Sequence, residues 1–151
     1  PGQFFPIDLP IPNSPDTGGE RYRDNISTCN SLPVSIGDLL YTENGNMIGP
    51  TKQGVQDLIA QDPNAIWDAA NKVISGSNYG ATGSPRIIRI PFFDPRNPPT
   101  SGKQTVEVTN IASLFLEGID GNGTVHARII PATGGNQGTS PGGLQFVRLV
   151  E

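Results

Sequence analysis

The residues that could carry chemistry in this chain are few. There is one histidine, His126, and one cysteine, Cys29. A nucleophile triad needs an imidazole to take a proton and an acid to orient it. His126 lies in an alternating run, sharing one face with Thr124 and Arg128, which is the setting of a surface histidine. Cys29 and His126 need only meet in space to make a dyad. The neighbours of Cys29, however, are Ser27, Thr28 and Asn30, and none is a cation that would lower a thiol pKa. Gly76-Ser77-Asn78-Tyr79-Gly80 sets its serine one place too early for a nucleophile elbow.

The carboxylates are equally dispersed. Asp62, Asp94 and Asp120 sit in Asp-Pro-Asn, Asp-Pro-Arg and Asp-Gly-Asn, where aspartate serves the backbone of a turn. A glycosidase pair would need two of them about 5 to 10 Å apart. Asp120, Asn122 and Thr124 alternate as in a calcium loop, but Val125 takes the place of the required glycine, and a hairpin turn explains them fully. The run Gly45 to Lys52 lacks the Gly-Lys-Ser/Thr ending of a phosphate-binding loop, and Pro50 removes a needed N–H. A lone cysteine excludes an internal disulfide and any multi-cysteine metal site. Cys29 is expected to be a small buried hydrophobe, with pairing between molecules as the other reading. No catalytic, cofactor or metal residue is therefore expected.

The elements that would position these residues are punctuated by 19 Gly and 15 Pro in 151 residues, about twice ordinary usage. Residues 1 to 33 are expected to be an extended proline-rich arm, because Pro6, Pro10, Pro12 and Pro15 oppose helix. Residues 34 to 151 are expected to form a single mainly-β domain. It begins with a short strand between Val34 and Thr42 and a turn at Asn44-Gly45-Asn46. A helix follows from a Thr51 cap to Gln61, with Val55, Leu58 and Ile59 on one face and Pro63 as its stop. Gly54 in that helix points to a close contact. Ala65 to Lys72 reads as a second short turn of helix anchored by Ile66 and Trp67.

The second half reads as strands. Arg86 to Phe93 carries isoleucines on both faces, as a central strand would. Gln104 to Ile119 holds one long or two broken strands. Asp120-Gly121-Asn122-Gly123 is the strongest hairpin turn, returning through Thr124 to Ile130 with Val125, Ala127 and Ile129 facing one way. A Gly-rich loop, Thr133 to Gly143, and a strand, Leu144 to Val150, close the chain. The expected fold class is mainly β: a small β-sandwich or partly open barrel with one short inserted helix and long Gly/Pro-rich loops.

Charge narrows the function. Fourteen acidic residues against 10 basic ones give a net charge of −4, with no electrostatic footprint for nucleic acid. The sequence starts at Pro1 and its only methionine is Met47, so a processed or partial chain is expected, with any leader or anchor in the removed part. Low lysine with abundant Asn, Gly, Ser, Thr and Pro leans towards an exported protein.

Longer runs are recognisable. Gly45-Asn46-Met47-Ile48-Gly49-Pro50-Thr51-Lys52-Gln53-Gly54-Val55 is followed by Asp62-Pro63-Asn64-Ala65-Ile66-Trp67. Then come Pro85-Arg86-Ile87-Ile88-Arg89-Ile90-Pro91, Phe93-Asp94-Pro95-Arg96 and Val108-Thr109-Asn110-Ile111-Ala112-Ser113-Leu114-Phe115-Leu116. In this order and spacing they resemble the C-terminal exported part of bacterial TadE/TadG-like Flp pilus-assembly proteins, over roughly residues 36 to 130. The resemblance implies a β-rich region outside the membrane, an extracellular or envelope site and no catalysis. Membrane attachment would run only through a segment that this sequence lacks. No site residues are carried over.

The expected function is that of a non-enzymatic structural or assembly protein without cofactors. A binding module for surface glycans or peptides, resting on Trp67 and Tyr79, and a secreted hydrolase are the alternatives. The expected partner is a second copy or another pilus or envelope protein, contacted through the arm. Phe5, Ile7, Leu9 and Ile11 share one face of that arm, and prolines strip donors from one of its edges, so it can pair on one side only. An arm docked on its own domain and an arm added to a neighbour are both open.

Overall fold

The computed structural model describes residues 5–9, 17–28, 30, 32–100 and 102–130. Along these the order is β1 (Ile7–Asp8), α1 (Gly18–Ser27), β2 (Leu39–Thr42), α2 (Ile48–Gln61), β3 (Ile66–Asp68) and β4 (Val73–Ser75). β5 (Ile87–Phe92), β6 (Thr105–Glu107), β7 (Asn110–Ile119) and β8 (Val125–Ile129) complete it. The fold is mainly β. Among the described residues the strands form three small antiparallel sheets, β1-β2-β6, β3-β4 and β5-β7-β8, which do not close into a barrel.

The sheet β5-β7-β8 is the centre. In β5, Ile88 and Ile90 point to one face and Ile87 to the other, with Ile88 opposite Leu114 of β7 and Ile87 opposite Phe115. β7 turns through Asp120 to Gly123 into β8, and a bulge in β7 between Leu116 and Gly118 shifts the register of the pair. On one face Ile88, Ile90, Leu114, Leu116 and Val125 meet Tyr22 and Ile26 of α1 and Val55 and Leu58 of α2. On the other face Phe115 packs with Ala65, Ile74 and Trp67 of the β3-β4 hairpin. A third core, Ile7, Leu9, Leu40, Val106 and Val108, lies under the sheet β1-β2-β6.

Several sequence expectations change. The stretch 1 to 33 is not extended throughout, because α1 occupies Gly18–Ser27 and the chain has two helices among the described residues. No proline follows Pro15 before Pro33, and Tyr22, Asn25 and Ile26 fall at i, i+3 and i+4, so one buried stripe faces α2. α2 starts at Ile48, a turn before the expected Thr51 cap. Asn46 Oδ1 accepts the Ile48 N–H at 3.0 Å, and buried Thr51 donates its hydroxyl to the Met47 carbonyl at 2.6 Å. Pro50 fits this early turn, where no helical partner awaits its missing N–H.

The expected helical turn at Ala65 to Lys72 is the hairpin β3-β4. Asp68 Oδ1 accepts the N–H groups of Ala70 and Asn71 and so closes a turn instead of a helix. Among the described residues β5 is an edge strand and β7 the central one. Pro91, which has no N–H to give, is compatible with an edge. Gln104 to Ile119 divides into two strands of different sheets, with Val108 N–H bonding Asp38 and Thr109 N–H bonding Phe92 between them. Cys29, Ile11, Thr133 to Gly143 and Leu144 to Val150 lie outside the described residues.

The Gly54 contact is real. A Cβ there would lie 2.8 Å from Ile26 Cβ and 2.9 Å from the Arg23 carbonyl oxygen, so its absence lets α1 and α2 cross closely. Two predictions follow from this packing. Leu58 is fully buried in the main core, so Leu58→Ala should lower unfolding stability by about 3 to 5 kcal/mol in denaturant titration. At the β7-β8 turn Gly123 has φ +87° and a Cβ there would lie 2.9 Å from Ile48 Cγ2, whereas Gly121 is open. Gly123→Val should cost about 2 to 4 kcal/mol and Gly121→Val under about 0.5; equal midpoints would refute this assignment.

Candidate functional site

The strongest chemistry in the structure is buried. Asp62 ends α2 with no exposure. Its carboxylate accepts the Ser77 hydroxyl at 2.6 Å, the Ser84 hydroxyl at 2.7 Å and the Asn78 N–H at 3.1 Å. Burial pushes its pKa up, but the bonds from Ser77, Ser84 and Asn78 and the charge of Arg86 outweigh it, and the carboxyl titrates below its ordinary value. Arg86, also buried, donates to the carbonyls of Leu116, Asp62, Ala65 and Glu117. Its guanidinium lies 4.9 Å over the Phe115 ring, and burial, partly offset by Asp62 and Glu117, lowers its pKa.

This node is a structural anchor. Ser77 meets a carboxylate with no imidazole between them, and the arginine's donors are spent on backbone carbonyls. The Asp-Pro-Asn context had marked Asp62 as a turn residue only. The missed signal is Arg86, a charge at the head of the isoleucine-rich stretch Ile87-Ile88-Arg89-Ile90, two residues after Ser84.

The other candidates sit apart. His126 is exposed on β8, with Nε2 3.9 Å from Asp120 Oδ2. Asp120 itself is occupied by the turn, accepting the N–H groups of Asn122 and Thr124, and its pKa is lowered by the Thr124 and Asn122 bonds and by His126. Asp94 pairs with exposed Arg96. Trp67 is half-buried under the Arg128 guanidinium, 5.6 Å from its ring centre, while Tyr79 is exposed. Among the described residues no three His, Cys, Asp or Glu side chains gather where they could hold a metal ion.

The arm docks on β2 of its own chain. Ile7 pairs with Thr42 and Asp8 with Tyr41, antiparallel. The Glu43 N–H bonds the Pro6 carbonyl at 2.8 Å, so Pro6 and Asp8 turn their backbone groups towards β2 and Ile7 and Leu9 turn theirs away. The arm thus meets β2 through its proline-bearing edge, where Asp8 is the one donor from 6 to 8, and the ladder is two residues long. Side chains complete the hold. Ile7 and Leu9 are buried, the Leu9 carbonyl accepts Asn25 Nδ2 at 2.7 Å, and Asn30 Nδ2 bonds Asn25 Oδ1 at 2.7 Å.

Asp8 lies between two cations, Arg21 of α1 and Lys103 just before β6. Burial raises its pKa, but the Lys103 bond and the Arg21 charge and bond prevail, leaving it below the ordinary value. Beside the arm is an apolar cavity of about 40 Å³ lined by Phe5, Ile7, Leu40, Phe93, Val106 and Val108, among others. Its one titratable lining residue is Glu107.

No helix of the described residues is long and apolar enough to cross a membrane. Comparison with protein-family models, curated proteins and solved structures returns no match.

The node sets a pH dependence. Because the folded Asp62 pKa lies below the unfolded value of about 4, its stabilisation is complete above that value and is lost as pH falls through the folded pKa. Asp62→Asn should cost about 2 to 4 kcal/mol at pH 7 and should flatten the loss of stability below about pH 4. Urea titrations of both proteins at pH 7 and pH 3 check this, and an unchanged pH 7 midpoint would refute it.

Proposed function

We propose that this chain is a non-enzymatic structural or assembly protein of the bacterial cell surface or envelope, as its resemblance to TadE/TadG-like proteins implies. It acts by associating with copies of itself or with other envelope proteins. The observation that carries this reading is the outer face of β1-β2-β6. There Leu39 and Tyr41 stand side by side on β2, 64% and 55% exposed, with Ile36 at 65% in the preceding turn. Neighbouring apolar side chains left in water on one sheet face are what an interface would cover. Each would contribute about 1.5 to 3 kcal/mol if fully buried. Lys103 over the Tyr41 ring at 5.5 Å and Glu107 opposite Leu39 supply a charged rim.

The disposition of the polar groups supports the same reading. The buried acid is held by two serine hydroxyls and a backbone N–H, the buried base is turned into backbone carbonyls, and His126 faces an acid already held by its turn. The glycan-binding alternative loses support because Trp67 is stacked under Arg128. Light scattering on the purified chain should give particles larger than one chain, with the mass rising with concentration. Leu39→Ser together with Tyr41→Ser should raise the concentration needed by about tenfold or more with the circular dichroism spectrum kept. A single-chain mass at every concentration would overturn the proposal.

A further inference from the structure

The arm's seat is a socket shaped for one segment. Ile7 and Leu9 fill an apolar groove formed with Leu40, Val106 and Val108. Asp8 inserts between Arg21 and Lys103, Asn25 grips the Leu9 carbonyl, and Glu43 grips the Pro6 carbonyl. Every one of these holds acts on residues 6 to 9 alone. The backbone ladder is only two residues long, so the arm is held by its side chains more than by the sheet.

We propose that the arm Phe5–Leu9 is exchangeable between copies: the groove it fills on its own domain takes the same segment from a second copy of this chain. The occupant is fixed by fit, because the groove already carries the complement of this sequence: two apolar sockets, a pair of cations for one carboxylate, and a donor for each of two carbonyls. Exchange re-forms the same contacts, so closed and exchanged forms differ little in energy and concentration decides between them. In sequence, eight residues separate Leu9 from Gly18, a reach of up to about 27 Å when extended. This inference rests on the assembly reading and names the partner and the segment that would serve it.

The charges facing Asp8 are Arg21 from α1 and Lys103 from the segment before β6. Tyr41 stands opposite on β2 beneath Lys103, and Glu43 adds its field at Lys103. Removing the Asp8 charge weakens closed and exchanged seats equally. Asp8→Asn should therefore speed exchange without shifting its end point.

Trapping between chains tests the proposal. Ile7 and Thr42 form a pair without mutual backbone bonds, whose Cα atoms lie about 4.5 Å apart, close enough for a disulfide. Two proteins are made in a Cys29→Ser background, one with Ile7→Cys and one with Thr42→Cys. They are mixed, oxidised and run without reductant. A chain carrying both cysteines reports that the fold and the pairing survive. Pro6→Cys with Glu43→Cys, the next pair in register and outside the core, replaces them where they do not.

Mixed disulfide should exceed that between the Thr42→Cys chain and an Ala81→Cys chain by about tenfold. Asp8→Asn in both partners should speed its formation by about tenfold. Mixed disulfide at the Ala81→Cys level overturns arm exchange. If light scattering still shows multi-chain particles in that case, the assembly reading stands without it. If only single chains are seen, both fall.

Discussion

The buried guanidinium of Arg86 is the interaction on which the rest of the fold depends. Its donors reach the end of α2 at Asp62, the entry to β3 at Ala65, and the bulged stretch of β7 at Leu116 and Glu117. These backbone carbonyls lie where elements stop, turn or lose register, and even the Asp62 carbonyl has only the Ala65 N–H at 3.3 Å besides the guanidinium. A neutral side chain could fill the space but could not bond four carbonyls at once. The cation in turn requires an anion nearby, and Asp62 supplies it while drawing the Ser77–Ser84 loop across the node. Helix, hairpin and central sheet are thereby fixed to one point.

That arrangement also explains why a chain so rich in glycine and proline holds a defined shape. Its ladders are short, with β1 at two residues and β3, β4 and β6 at three each, and strands of this length have little stability of their own. Stability comes instead from three cores that share β7 and its surroundings, and from side chains that bond backbone across long loops. Asn25, Thr42 and Asp62 all do this.

How far the sequence could be read follows from the range of the forces involved. The α2 face, the β7-β8 turn and the mainly-β class depend on neighbours within a few residues and were legible, while the Gly54 contact, made to Ile26 and Arg23 of α1, showed only as a glycine inside a helix. α1 was not, because Gly18 and Gly19 suppress its local propensity and its stability comes from packing on α2. The β3-β4 hairpin was misread because Ile66 and Trp67 suit either element, and only the Asp68 turn separates them. Asp62 and Arg86 meet across 24 residues, a distance at which spacing carries no signal. The alternation of the arm was legible, but the edge that pairs was not. Proline counts predict where donors are missing, whereas the side chains of Ile7 and Leu9 decide which way the strand turns.

The sheet β1-β2-β6 has a consequence for the order of events during folding. α1 with α2, and β7 with β8, join segments close in sequence, but Thr42 meets Gln104 across 62 residues. Closing so long a loop carries an entropy cost that must be met before the contacts repay it. β2 therefore spends the early part of folding with Leu40 and Thr42 bare, until the chain beyond Gln104 arrives to cover them. In a protein synthesised from its N-terminus, this half-made sheet waits for the chain beyond Gln104, just as the apolar faces of α1 and α2 wait for Leu114, Leu116 and Val125, and until then it needs protection from other chains.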